Sequence, residues 1–437
     1  MLSIIIILSI ALAIFLGYRT KINTGLFCIV FAYIIGCFVM GLKPKQVIGF
    51  WPTSTMFVIL SVSLFYNFAA INGTLEKMSG ALLYACRNFP GLLPYALFAV
   101  AVILSVMGAT YFTVLAFLAP ITLVICDESR MDKLTVAVAI NCGALAGGNF
   151  PTSNLGVVFR GLSDTAYEAS PEIAAVDSFN MEMKIFAFAI FFSLILITIF
   201  RFGFKENRNI GKGVTFKKPE SFTKDQKTTL TLMMAMMAVV LIFPLLNILM
   251  PGNAAVKYIS GKVDVGLVAI IFTVIALLLK LAPQKEAIAK VPWNTIIMIA
   301  GAGMLIAVAV EAGTIEALST WIGSNVPKPL VPIAFCLVGA IMSFFSSTTG
   351  VVAPALFPLI PNLAASVGLS APVLFACTIL GAQSSAISPF SSGGSLILGS
   401  TPKEEERNEL FNRLLMVAVP ISVITCTIYN FVIAMVL

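Results

Sequence analysis

The sequence predicts an all-α polytopic membrane protein made of two inverted repeats, each with five transmembrane helices and one re-entrant hairpin. Three observations predict it. Of the 437 residues, 59% are hydrophobic and only 11% are charged, with a mean hydropathy of +1.01; a soluble globular chain carries about 25% charged residues. Apolar runs extend from end to end, and no polar stretch is long enough to build a soluble domain. The same residues also occur twice: Pro120/Pro358, Pro151/Pro389, Gly143/Gly381, Ala144/Ala382 and Thr110/Thr348 are each 238 positions apart, and Gly73-Thr74 with Glu76 returns as Gly313-Thr314 with Glu316 after 240. Two weakly similar halves with broken hydrophobic segments at matching positions mark a transporter's binding site.

A crossing helix needs about 20 apolar residues. Spans are therefore expected near 2–17, 24–41, 54–72, 134–161 and 183–203 in the first half. In the second half they fall near 229–250, 263–281, 294–312, 371–399 and 410–433. The apolar run at 2–17 has no basic leader and is followed by Arg19 and Lys21, so it reads as a retained helix, not a signal peptide. Leu92–Val106 and Tyr111–Ile125 are short and joined by Met107-Gly108-Ala109-Thr110, and the pattern repeats around 329–364 at Ser346-Ser347-Thr348-Thr349-Gly350. Such pairs read as re-entrant hairpins over 91–126 and 329–364, whose irregular tips are tolerated at membrane depth where protein or a watery cavity covers them.

Spans 134–161 and 371–399 are interrupted by Gly147-Gly148-Asn149-Phe150-Pro151-Thr152-Ser153-Asn154 and by the stretch from Gln383 to Gly394. Proline removes a backbone donor and glycine is a poor helix former, so each span reads as two half-helices around an unwound middle. Five crossings per repeat is odd, which inverts the second repeat. The expected organisation is a first repeat over 1–203, a cytoplasmic linker over 204–228 and a second repeat over 229–437. With that linker in the cytoplasm, twenty of the 27 Lys and Arg fall on the cytoplasmic side and seven outside. The loop 162–182 is acidic instead, with Asp164, Glu168, Glu172, Asp177 and Glu182. Both termini are then expected outside the cytoplasm, in the multi-pass setting of a plasma (inner) membrane.

The chain has no His, and its eight Cys form no CxxC pair. Neither a metal centre nor a hydrolytic constellation is written here, so an enzyme is not expected. The positive charge belongs to loops at the lipid surface and not to a nucleic-acid partner. Helix N-termini carry about half a positive charge each, and up to four face the centre from the two hairpins and the two breaks, an arrangement suited to an anion. C-terminal ends and unwound carbonyls suit a cation such as Na+. The expected substrate-binding side chains are Thr110, Thr113, Thr152, Ser153, Asn154, Ser347, Thr348, Thr349, Ser391 and Ser392, whose hydroxyls and amides can grip carboxylates. The expected cation sites lie at Gly108, Ala109, Gly147, Asn149, Ser346, Gln383, Ser384 and Ser388. No acidic residue, Lys or His sits in either tip or break, which favours a cation held by neutral oxygens over a proton. Glu311 and Arg160 are the nearest ionisable groups, and Arg160 has the geometry to hold a carboxylate bidentately.

The hairpin arms TYFTVLAFLAPI and STTGVVAPALFPLI, with GGNFPTSN and AISPFSSGG downstream, resemble the ion transporter superfamily over nearly the whole chain. Within it the sequence is similar to MatC-type dicarboxylate carriers, related to the divalent anion:sodium symporters. The resemblance implies a homodimer with an elevator-like transport domain. It also implies that Gly108-Ala109-Thr110 and Ser346-Ser347-Thr348 stand where the symporters carry Ser-Asn-Thr triplets that bind substrate carboxylate and sodium. Both Asn are absent, which leaves Thr110 and Thr348 as the carried-over positions. The expected function is secondary active transport of small di- or tricarboxylates, malonate or a C4 acid, coupled to Na+. The alternatives are a membrane subunit serving a separate binding protein, a cation/proton antiporter or an anion channel.

Overall fold

The computed structural model describes residues 2–20, 22–85, 92–129, 131–203, 220–250, 253–260, 262–344, 348–401 and 404–436, and among them every regular element is helical. The first half runs α1 (Leu2–Thr20), α2 (Thr24–Tyr33) with a π-helical continuation Ile34–Val39, α3 (Pro44–Gly49), α4 (Thr53–Ile71), α5 (Thr74–Ala85), α6 (Leu93–Val106), α7 (Tyr111–Ser129), α8 (Lys133–Gly148), α9 (Asn154–Glu168) and α10 (Ser178–Gly203). The second half begins with α11 (Lys224–Leu249), α12 (Ala254–Ser260), α13 (Val265–Leu278), α14 (Gln284–Ala289), α15 (Trp293–Glu311) and α16 (Thr314–Asn325). It continues with α17 (Val331–Phe344), α18 (Ala353–Leu356), α19 (Ile360–Val367), α20 (Ala371–Ser384), α21 (Ser392–Gly399), α22 (Glu404–Arg413) and α23 (Val419–Val436).

Helix starts keep the spacing of the repeated residues. Thr53 and Trp293 open α4 and α15 (293−53 = 240), while Asn154 and Ser392 open α9 and α21 (392−154 = 238). The repeated Gly73 and Gly313 explain themselves here. Both have positive φ, +74° and +68°, a backbone state that glycine enters without a Cβ penalty. They turn α4 into α5 by 70° and α15 into α16 by 78°. These amphipathic helices, α5 and α16, were not among the expected elements, nor were the short α3 and α14.

The packing is crossed. α2 lies against α15 and α4 against α13, so each pair joins opposite halves. By contrast α6 packs on α8 and α17 on α20, each within its own half. Small residues let backbones approach closely in a membrane, and the repeated Gly143 and Gly381 do this twice. A Cβ on Gly143 would strike the Phe98 carbonyl and one on Gly381 the Cys336 carbonyl, and Phe98 and Cys336 are themselves 238 apart. Across the halves, Arg413 of α22 pairs with buried Asp132 at 2.6 Å, and Asp132 caps α8 by accepting from Thr135 N at 3.0 Å.

Among the described residues, four helical runs are long and apolar enough to cross a bilayer alone: Ser178–Gly203, Lys224–Ile242, Thr348–Val367 and Glu404–Val436; six are reached if the bent pairs α4–α5 and α15–α16 each count once. The remaining expected spans are apolar helices of 10–17 residues, shortened by the breaks and tight turns at their ends. Several bounds differ from expectation: α10 begins at Ser178, before 183, and α11 at Lys224, before 229 and inside the expected linker. The half-helix after the first break continues to Glu168, beyond 161. The second arm of the second hairpin is a run of span length assembled from short pieces. Large apolar side chains such as Ile4, Phe38, Leu278 and Met416 stand exposed around the molecule, as an integral membrane protein presents them to lipid.

Candidate functional site

Both expected breaks are present. α8 ends at Gly148 and α9 begins at Asn154; α20 ends at Ser384 and α21 begins at Ser392. At their meeting point the two halves join through one reciprocal amide pair. Asn149 Nδ2 donates to Gln383 Oε1 at 3.0 Å, and Gln383 Nε2 donates to Asn149 Oδ1 at 2.7 Å. Asn149 is fully buried and Gln383 nearly so, and each satisfies the other's buried polar groups without a formal charge.

The hydroxyls at the breaks divide between closing the unwound backbone and facing outward. Ser153 Oγ lies within reach of the carbonyls of Gly147, Gly148 and Phe150 at 2.9, 2.6 and 2.9 Å. It is therefore spent on the orphaned end of α8, and the first N–H groups of α9 have no side-chain cap. Ser391 Oγ reaches the carbonyls of Ala386 (2.5 Å) and Ser388 (2.8 Å) and accepts from Gly394 N at 3.3 Å, so it caps α21. Ser384 Oγ donates to Gly381 O at 2.6 Å, and Ser388 Oγ accepts from Phe390 N at 3.2 Å. Gly147 packs its backbone on α6. Thr152 is fully buried, and its Oγ1 has no hydrogen-bond partner among the described residues.

At the first hairpin tip, Thr110 Oγ1 accepts from Thr113 N (3.3 Å) and lies 2.8 Å from Thr113 Oγ1, capping α7. Gly108 has φ +92°, and its face is closed by the Tyr66 ring of α4. Tyr111 ties this tip to the other half, donating to Asn141 Oδ1 at 2.6 Å and lying 3.4 Å from Ala386 O in the second break. At the second tip, Thr348 Oγ1 lies 3.2 Å from Ser343 Oγ. Ser346 and Ser347 lie outside the described residues, as does the side chain of Ser392.

A cavity of about 780 Å³ joins these parts. Thr110 and Thr113 from the first tip, Thr348 and Thr349 from the second, and Asn154, Gln383 and Ser391 from the breaks all line it. Thr152, Ser153, Asn149, Gly147, Ser384, Ser388, Gly108 and Ala109 are not in its wall; Gly108 and Ala109 line a small recess beside it, with Ser63, Tyr66 and Asn67. Residues that sequence reasoning passed over also line the main cavity: Ser63 and Asn67 on α4, Asn294 on α15, Tyr111, and Lys290. Ser63 and Asn67 had a legible signal, being polar residues one turn apart in an apolar span, on the face that also carries Ile59 and Ala70.

The two ionisable groups near the first break are deeper than expected. Arg160 Nη1 donates to Pro151 O at 3.2 Å, and its buried Nε has no hydrogen-bond partner among the described residues. Glu182, counted with the acidic loop, is fully buried, and neither carboxyl oxygen has a hydrogen-bond partner among the described residues.

This arrangement is a centre reached by two hairpin tips and two broken helices, walled by hydroxyls and amides, and it belongs to a membrane carrier. Two family models match, one in each half: the dicarboxylate carrier protein MatC N-terminus over residues 1–148 and the citrate transporter over residues 255–435. Both models describe carriers and not enzymes, in line with the resemblance of the hairpin and break motifs to the ion transporter superfamily. No curated protein matches it by sequence. Among solved structures it is similar to the YdaH transporter of Alcanivorax borkumensis, described as having an unusual topology, with 16% identity and a TM-score of 0.63 over 89% of this chain and 86% of that one. It is also similar to MtrF of Neisseria gonorrhoeae, described as illuminating a class of antimetabolite efflux pumps, with 14% identity and a TM-score of 0.61 over 93% and 84%. At these identities the likeness is one of fold.

Proposed function

We propose that the chain is a secondary active transporter of small di- or tricarboxylates, with malonate or a C4 acid as first substrate, coupled to Na+. The observation that carries this reading is the single cavity of about 780 Å³ whose polar wall comes from both hairpin tips and both breaks. Hydroxyl donors at Thr110, Thr113, Thr348 and Thr349 and the uncapped start of α9 suit carboxylate oxygens. Na+ is assigned to the unwound backbone around Asn149 and Gln383 and to the recess at Gly108 and Ala109, where neutral oxygens gather. The repeat, with its crossed α2–α15 and α4–α13 pairs, is in keeping with an inverted arrangement; the homodimer in the plasma membrane belongs to the same reading through the family resemblance. In this reading the hairpins and broken helices move as an elevator, with both termini outside the cytoplasm.

Uptake of radiolabelled malonate and succinate into proteoliposomes, under separately imposed inward sodium and proton gradients, tests the reading. Stimulation by sodium is the expected result; no uptake of either acid under any gradient would overturn the substrate class. The double variant Thr110→Ala/Thr348→Ala is expected to lose uptake while keeping its folded size-exclusion profile, and unchanged uptake would remove the site. Fully buried Glu182 favours one second reading, proton coupling, and stimulation by the proton gradient alone would select it.

A further inference from the structure

The cavity wall carries one charge. Among its described lining residues Lys290 is the sole ionisable cation, no carboxylate accompanies it, and the other polar groups are neutral hydroxyls and amides apart from the phenol of Tyr111. Lys290 follows α14, where its backbone N–H closes the helix on Glu286 O and Ile288 O. The segment around it is held on both sides. Asn67 Nδ2 of α4 donates to Ala287 O at 3.0 Å, and Trp293 Nε1 donates to Ile288 O at 3.1 Å. The ammonium itself has no hydrogen-bond or ion-pair partner among the described residues, so its charge is not spent within the protein.

The repeat makes this charge informative. The position 240 earlier is Phe50, so the cation has no counterpart in the first half. The tips and breaks of both halves supply neutral groups to the wall; one lysine from the second half alone gives the cavity a direction. A cradle of neutral donors accepts a carboxylate but distinguishes poorly between a ligand with one carboxylate and a ligand with two. Lys290 is exposed, so its charge stands at the open side of the cavity, and a cation at the mouth of a cleft draws anions in and raises their local concentration, most for the most highly charged.

Resting on the carrier reading above, we propose that Lys290 is the charge that selects dianions, engaging one carboxylate of the substrate while the other lies among the hydroxyls of Thr110 and Thr348. The lysine ammonium is a compact point charge on a flexible stem, able to follow a carboxylate over several positions without a fixed bidentate geometry.

The test uses the full-length protein in proteoliposomes and compares wild type with K290Q, K290R and K285Q. Malonate and succinate are measured against acetate and propionate as monoanions. For K290Q the KM for the diacids is expected to rise by about tenfold or more, with kcat held within about twofold, because the loss is in binding. The preference for diacid over monoacid should shrink with it. K290R should restore most of the preference, and K285Q, at a lysine of α14 that is exposed like Lys290 but lies outside the cavity wall, should behave as wild type. Raising ionic strength should weaken diacid uptake by wild type more than by K290Q. A K290Q protein with wild-type KM and wild-type diacid preference overturns the assignment of Lys290 alone. Absence of diacid uptake by the wild type instead overturns the carrier reading, before any variant is compared.

Discussion

The second arms of the two hairpins start from matched positions, Thr110 and Thr348, yet one is a single helix and the other a chain of fragments. α7 runs unbroken from Tyr111 to Ser129 with one proline, Pro120, inside it. Its counterpart passes through a π-helical stretch (Thr348–Val352), α18, a 3₁₀ turn (Phe357–Leu359) and α19 before ending at Gly368 with φ +64°. Pro358 repeats Pro120, but Pro354 and Pro361 are added on either side. Each proline removes a donor and crowds the preceding turn, so three in eight positions forbid a regular ladder. The first arm is also anchored, through Tyr111 to Asn141 and towards the second break. The difference teaches that a duplicated frame can keep its spacing while one copy gives up helical hydrogen bonds. The fragmented arm is the one that bends at least cost.

The strongest way to break this contrast is at the anchored tip. Gly108→Val must place a Cβ in the Tyr66 ring at a backbone φ of +92°. The cost expected is about 3 kcal/mol or more, read as a collapse of the thermal unfolding midpoint in detergent. A wild-type midpoint would mean that the first tip is not seated as described. Next in size is the amide seam between the breaks. Asn149→Leu leaves Gln383 unsatisfied and should cost about 1–3 kcal/mol, whereas Asn149→Leu/Gln383→Met removes both partners and should recover most of it. Additive losses in the double variant would show that the two amides do not act on each other. Gly350→Ala probes the fragmented arm. The new Cβ meets the end of the flexible Met298 side chain, so the loss should stay near 1 kcal/mol, well below that at Gly108. The smallest effect is expected at the Lys77–Glu220 pair (3.2 Å), where Glu220 is 92% exposed. Glu220→Gln should change stability by about 0.5 kcal/mol or less, and a larger shift would make this surface contact part of the frame.

Much of this frame can be read from residue order. The helix ends at Val106 and Tyr111, Gly148 and Asn154, and Ser384 and Ser392 follow from Gly, Pro and Ser clusters that deny the backbone its ladder. The repeated Gly143/Gly381 and Gly73/Gly313 mark the repeat in the sequence, and the structure adds their close packing and left-handed turns. α5 and α16 are not legible as spans, although Gly73-Thr74-x-Glu76 and its copy resemble a helix start, because both helices are short and amphipathic. The cavity wall was half legible. Thr110, Thr348 and Ser391 sit where chain breaks announce them, but Lys290 stands in a loop far from either break in sequence. It enters the cavity because α14 folds against α4 through Asn67 and Ala287, a tertiary contact between residues 220 positions apart. Ser153 has the right chemistry at the right break and still stays out of the wall, because its hydroxyl serves the unwound turn's own carbonyls, while Thr152 is buried outside the wall with its hydroxyl unpartnered among the described residues.

The reciprocal contact of Asn149 with Gln383 also bears on voltage. Carrying one elementary charge across a membrane is worth about 2.3 kcal/mol per 100 mV, but a pair of neutral amides has no net charge to carry and no proton to exchange. The amide pair itself thus adds no charge whatever the membrane potential or the pH. Current that accompanies turnover will therefore count the charges of the cargo and of the fixed ions nearby, and not this contact between the breaks.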